Sequence, residues 1–211
     1  WSSNPILKIV TARSDDDNEN EWKPMYSSWN YILCEPVLVR CYTNLTSAEL
    51  LCNGKSIGIK TVDSQTGYIS WILPFEEGNL EVVAACISDA KQIKDTLETT
   101  TSSCKIELSI WENKPSALIT NEDIFQIEAT IADSKGRHVV NDSAMLHVNI
   151  NGPCKLLGLE NGDLSDFTEY TAHYRRAYEG RLLLYVRRTS EEAPIHIDVY
   201  GDNLKSAKII L

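Results

Sequence analysis

An all-β fold made of two tandem sandwich domains is predicted by three features of the 211 residues. Short runs rich in Val, Ile, Leu and Thr recur at close intervals from Pro36 onward, each bounded by turn residues. No stretch of the first half carries the 3.6-residue apolar period of a long amphipathic helix. The hydroxyl block Thr99-Thr100-Thr101-Ser102-Ser103 supplies no core, favours an extended connector and separates two such sets of strands.

Taken in order, Pro5 to Val10 reads as a short strand, followed by the acidic run Asp15 to Glu21. That run could offer oxygen to calcium but lacks the Gly and the spacing of a coordination loop, so it reads as a solvated loop. Strands are expected near 36–43, 47–53, 55–62, 67–73, 79–87 and 91–98, punctuated by Gly67, Pro74, Gly78-Asn79 and Asp89. The clearest local signal is Asn53-Gly54, the dipeptide favoured by a type I′ hairpin because both central residues need positive φ. Pairing outward sets Cys52 opposite Lys55, Leu50 opposite Ile57 and Ala48 opposite Ile59. One face then collects Ala48, Leu50, Ile57 and Ile59, the other Glu49, Ser56 and Lys60. Six or seven such strands make an immunoglobulin-like β-sandwich.

Beyond the hydroxyl block, Ile106, Leu108 and Ile110 alternate with Glu107, Ser109 and Trp111, and Phe125, Ile127, Ala129 and Ile131 alternate with Gln126, Glu128 and Thr130. Asp133-Ser134-Lys135-Gly136 supplies a turn, and further strands fit near 138–140, 144–150, 154–159, 180–187, 194–200 and 204–211. The expected domains are 1–101 and 102–211, both immunoglobulin-like sandwiches.

An apolar share of 43% with 24% charged residues is enough to bury a core in each half. A net charge of −10 argues against nucleic acid or anionic lipid as a partner, and no run of eighteen apolar residues spans a membrane. The six cysteines lack Cys-x-x-Cys spacing, so neither zinc nor redox chemistry is indicated. Cys41, Cys52 and Cys86 fall inside expected strands and read as small buried hydrophobes, although an even count permits disulfides. Sequons occur at Asn44 and Asn141 and would matter only in a chain secreted by a eukaryote. The opening at Trp1, without initiator Met or signal segment, points to a mature chain or a piece of a longer one.

Reactive constellations are not spelled out. His138, His147, His173 and His196 lie far apart without ligand spacing, and no Gly-x-Ser-x-Gly elbow occurs. Glu160, Asn161, Asp163 and Asp166 could gather round calcium, but Asn161-Gly162-Asp163 is explained more simply as a turn. No catalytic residue, metal site or cofactor is therefore assigned. Three aromatic residues are candidates for stacking on a pyranose face: Trp111, Trp22 and Tyr68. The competing reading is that these rings pack against a neighbouring domain or cover a sandwich edge.

Two sets of motifs resemble bacterial family 2 glycoside hydrolases of the β-galactosidase type. Trp29-Asn30, the strand ending Tyr42-Thr43-Asn44 and the hairpin Glu49-Leu50 to Asn53-Gly54-Lys55-Ser56-Ile57-Gly58 are similar to the first immunoglobulin-like domain after the family's catalytic barrel. Asp133 to Gly136, Leu157 to Asp163 and Arg176-Ala177-Tyr178-Glu179-Gly180-Arg181 are similar to its last immunoglobulin-like domain, with Tyr178 where Phe is usual. The resemblance implies a C-terminal, non-catalytic accessory region. Its partners would be the barrel and other domains of a parent that hydrolyses β-galactosides or related β-glycosides by the retaining two-carboxylate route. Both carboxyls come from barrel strand ends, and this chain has neither the alternating pattern nor the length for a barrel. The resemblance also implies a bacterial, periplasmic or secreted setting. A carbohydrate-binding module and an adhesin-type stalk are the alternatives. The absence of repetition between the halves counts against the stalk.

Overall fold

The computed structural model describes residues 4–14, 24–85, 92–111 and 124–211. The described residues contain fifteen β-strands and no helix, and the chain divides into Trp1–Thr99 and Thr100–Leu211.

The first unit has strands β1 (Leu7–Arg13), β2 (Pro36–Thr43), β3 (Ser47–Cys52), β4 (Lys55–Thr61), β5 (Ile69–Pro74), β6 (Asn79–Ala85) and β7 (Gln92–Glu98). They form a three-stranded sheet, β1-β2-β5, facing a four-stranded one, β4-β3-β6-β7. Alternation decides which residues meet between them: Val37, Val39 and Cys41 from β2, Ala48, Leu50 and Cys52 from β3, Ile69, Trp71 and Leu73 from β5, Leu80, Val82 and Ala84 from β6. Burial in this core pushes the Cys41 thiol up to about 11, consistent with an inert packing role. The fully buried Trp29 donates its indole N–H to the Glu76 carbonyl at 3.0 Å and meets Phe75 edge to face at 5.1 Å. Asp95 on β7 accepts the Ile9 N–H at 2.8 Å and the Lys8 ammonium at 3.1 Å, which ties one edge of each sheet together.

The hairpin forms at Asn53-Gly54 with φ of 51° and 76°, but its register departs from the expected one. Leu50 pairs with Gly58 and Leu51 with Ser56, so a bulge accommodates Ile57 as an extra residue. Ala48, Leu50 and Cys52 are buried, whereas Ile57 and Ile59 are exposed on β4. The physical reason is that β4 is an edge strand: the core is filled by β3 and β6, and the bulge turns β4 away from it. Asn53 does more than shape the turn. Its amide oxygen accepts the Asn79 N–H at 2.8 Å and its amide N–H donates to the Glu77 carbonyl at 3.1 Å, fastening this hairpin to the turn before β6.

The second unit has β8 (Lys105–Trp111), β9 (Ile124–Ala132), β10 (Met145–Asn151), β11 (Cys154–Glu160), β12 (Tyr174–Arg176), β13 (Arg181–Arg188), β14 (His196–Gly201) and β15 (Leu204–Ile210). The order is β11-β13-β9-β8-β15-β14-β10-β12, with β8 and β15 touching at one parallel pair, Lys105 with Lys205. That single contact joins two four-stranded layers whose inward residues share one core, including Ile127, Ile131, Leu182 and Leu184 from one layer and Leu146, Val148, Ile197 and Val199 from the other. The expected strand at 138–140 is only an isolated bridge from His138 to Ala132. The short β12 falls between the strands expected near 154–159 and 180–187.

The turn at Glu179-Gly180 also uses positive φ, 49° and 69°, with Tyr178 and Arg181 exchanging N–H to carbonyl bonds at 3.0 Å. Gly180 is required: a Cβ there would sit 2.3 Å from the Val139 carbonyl oxygen. The fully buried Asp133 organises the loop after β9. One carboxylate oxygen accepts the N–H groups of Lys135 and Arg137, at 2.9 and 3.0 Å; the other accepts the Thr101 N–H at 3.1 Å and the Arg137 guanidinium at 2.6 Å. Thr101 is thereby bonded within the second unit.

At Gly78, with φ of 132°, a Cβ would fall 1.9 Å from the Asn53 amide oxygen. Asn53→Ala is expected to destabilise the first unit by about 1–2 kcal/mol, and Gly78→Ala to cost less in that background than alone; chemical denaturation of both singles and the double measures this, and strict additivity would contradict it. For Asp133, burial alone would raise the carboxyl pKa, but the Arg137 guanidinium and the N–H donors outweigh it and hold it well below the ordinary 3.8. A lowered folded-state pKa gives stability that is complete above the unfolded value and is lost as pH falls toward the folded one. The melting temperature of the second unit should therefore drop as pH falls below about 4, and Asp133→Asn should lower it at pH 7 and flatten that slope. Calorimetric scans from pH 7 to about pH 2 check this, and parallel slopes for both proteins would refute it.

Candidate functional site

Of the three aromatic candidates, Trp111 and Tyr68 are among the described residues. Trp22 lies outside the described residues. Trp111 is exposed on the outer face of β8, where its indole N–H donates to Glu128 on the neighbouring β9 at 2.9 Å. Glu128 also receives Arg181 at 3.2 Å and Thr130 at 3.1 Å. Trp111 is thus one edge-anchored ring in the second unit, and Tyr68 belongs to the first.

Tyr68 lies at a hollow of about 330 Å³ lined by β2, β4, β5 and the 61–68 connection. Strand alternation puts Arg40 and Ser70, a cross-strand pair, on the outer face of β2 and β5, with Tyr68 beside them. The Arg40 guanidinium stacks 4.6 Å from the Tyr68 ring centre, and Tyr42 braces that ring edge to face at 5.7 Å. Arg40 is only 7% exposed although it is on the outer side of its sheet. Lys60 reaches in from β4 and donates to the Ser70 carbonyl at 2.7 Å. Asp63 lines the hollow as well, but one of its oxygens accepts the N–H groups of Gln65 and Thr66 at 2.7 and 3.0 Å. The Thr66 and Gln65 N–H bonds hold its carboxyl below the usual range. The sequence signal for this place was a lone Arg inside the apolar run Val37 to Cys41.

A second feature is the segment 161–173 of the second unit. Leu164 and Phe167 are 99% and 93% exposed, yet their loop is fixed from both sides. Asn161 donates to Asp166 at 2.8 Å, Asp163 accepts the Ser165 N–H at 2.9 Å, and Asp166 accepts the Thr168 N–H at 2.8 Å. The buried Arg175 donates to the Thr168 carbonyl, stands 3.8 Å from Asp166 and stacks 4.6 Å from the Tyr170 ring centre. Thr168, through hydroxyl and N–H, lowers the Asp166 pKa, with Arg175 and Asn161 adding to the effect. Carboxylates that were candidate calcium ligands are thus engaged by N–H donors. Sequence reading passed over Leu164 and Phe167 because each is a single apolar residue in a polar run.

The histidines stay apart. His138 faces the Glu179 carbonyl at 2.7 Å, and burial followed by the Arg181 charge lowers its pKa; His173 faces the Val148 carbonyl at 3.1 Å. His147 stacks on Tyr200 at 5.2 Å on the outer face of β10 and β14. The five described cysteines are free thiols, with Cys86 outside the described residues. Among the described residues no three His, Cys, Asp or Glu side chains group to hold a metal ion.

Strands alone, arranged as a β-sandwich in each unit, define the class: an all-β protein of two sandwich domains. Residues 111–210 match the family model described as glycoside hydrolase family 2 C-terminal domain 5, and residues 35–92 match a domain of unknown function, DUF4982. The chain is 20% identical over 195 residues to a protein of Bacteroides ovatus named Beta-galactosidase BoGH2A, across 90% of this chain and 23% of that protein. Its fold matches a glycosyl hydrolase family 2 member from Bacteroides cellulosilyticus, with TM-score 0.85, 23% identity, and coverage of 100% of this chain and 29% of that one. A β-glycosidase from Bacteroides vulgatus gives TM-score 0.80 at 23% identity, with coverage of 100% and 25%. The chain resembles the C-terminal region of family 2 glycoside hydrolases, a non-catalytic part of such enzymes. It spans under a third of the length of these proteins.

Proposed function

We propose that the chain serves a bacterial glycoside hydrolase as a C-terminal accessory region whose second unit packs on another domain of the parent. The parent would cleave β-galactosides or related β-glycosides by the retaining route, with both carboxyls supplied by its barrel, in the periplasm or outside the cell. The observation that carries the packing role is the 161–173 loop. Holding Leu164 and Phe167 fully in water costs about 1.5–3 kcal/mol per side chain relative to burial. A loop fixed by Arg175, Asp163 and Asp166 keeps them there, which is the form of a preorganised contact. The short coverage of the relatives supports the existence of further domains for it to meet.

The test is the double substitution Leu164→Ser with Phe167→Ser, made in this chain and in the full-length parent. In the chain alone the melting temperature should be unchanged. In the parent the melting temperature should fall and limited proteolysis should release the sandwich region sooner. Equal behaviour of substituted and unsubstituted parent would refute the packing role.

A further inference from the structure

We infer that the outer face of β8, β9 and β13 in the second unit binds an uncharged, extended β-linked oligosaccharide laid across its strands. This role is separate from the packing of the 161–173 loop and stands or falls without it. Trp111 on β8 pairs with Gln126 on β9, and Gln126 pairs in turn with Tyr185 on β13. Directly opposed residues share a face of the sheet, with their Cβ atoms about 5 Å apart. The strand neighbours Ile127, Leu184 and Val186 are buried in the core, so the row Trp111-Gln126-Tyr185 lies on the outer side. Trp111 is thereby joined by a second ring, two strands away, with an amide between them.

Each member of the row has what a sugar needs left open. Trp111 is 53% exposed, although its indole N–H is tied to Glu128 at 2.9 Å. That bond uses the ring's one donor and steadies the side chain, but does not use the π face on which the C–H side of a pyranose stacks. Among the described residues, the Gln126 amide and the Tyr185 hydroxyl have no hydrogen-bond partner, and neither is sealed from water. The amide both donates and accepts, as neighbouring sugar hydroxyls do. An apolar protein surface laid over the row would leave that amide unpaired, at a cost of about 1–3 kcal/mol, whereas a sugar chain satisfies it. No charged side chain stands in the row, so stacking and hydrogen bonds supply the attraction and a neutral ligand suffices. Two rings about 10 Å apart need more than one pyranose. Equatorial β-linkages keep a chain extended, so that successive sugars reach both rings with one over Gln126.

Calorimetric titration of the whole chain tests this with cellotetraose, xylotetraose and mannotetraose, which are neutral and extended. Maltotetraose, which coils, tetragalacturonate, which is charged, and glucose, a single unit, serve as contrasts. Saturable binding of at least one extended tetrasaccharide, insensitive to salt and much tighter than binding of any contrast, is the expected result. Trp111→Ala should weaken that binding roughly tenfold or more, while Trp111→Phe retains part of it. Gln126→Ala should weaken it as well. Melting curves of each variant confirm folding, so a loss in a folded Trp111→Ala chain reports on the site. Any contrast sugar binding as tightly as the extended tetrasaccharides, indifference to Trp111→Ala, or no binding of any extended tetrasaccharide would each overturn the inference.

Discussion

Everything in this molecule depends on two one-sided sheets closing on each other in each unit. A sheet with one apolar face is stable only when that face is covered, and here the cover is the other sheet of the same unit. In the first unit the closure is fixed by Trp29, buried with its indole N–H satisfied, and by Asp95, which reaches between sheets to the Ile9 N–H. In the second unit the two layers pair at Lys105 with Lys205 and close around a shared core. The described cysteines are free thiols, so packing and turn geometry carry the fold.

That division of labour explains what the sequence made legible. Period-two alternation reports directly on which side of a strand is covered, so the strand positions and the all-β class followed from it. Asn53-Gly54 was legible because few dipeptides accept two positive φ values in succession. The facing of β4 was not, because alternation says which residues share a side and not whether that side meets a core. Ile57 and Ile59 share a pattern with Leu50, but a bulge and an edge position leave them in water.

The outer faces were the least legible part. Arg40 is a single charged residue within an apolar strand, and its stacking on Tyr68 requires β5 to lie beside β2, a pairing between residues some thirty positions apart. Leu164 and Phe167 looked like ordinary loop residues, since their significance comes from the buried Arg175 that fixes the loop around them. Of the aromatic residues legible as candidates, Tyr68 sits in a built hollow and Trp111 is a single ring held by Glu128. Core residues write their role in local pattern; surface sites are assembled from elements distant in sequence.

In the proposed role, the fixed, exposed loop of the second unit is a contact made in advance. Hydroxyl-radical footprinting measures this directly, by comparing oxidation of Phe167 and Tyr170 in the isolated chain and in the full-length parent. Strong labelling in the chain with protection in the parent is the predicted result. Equal labelling in both would contradict it.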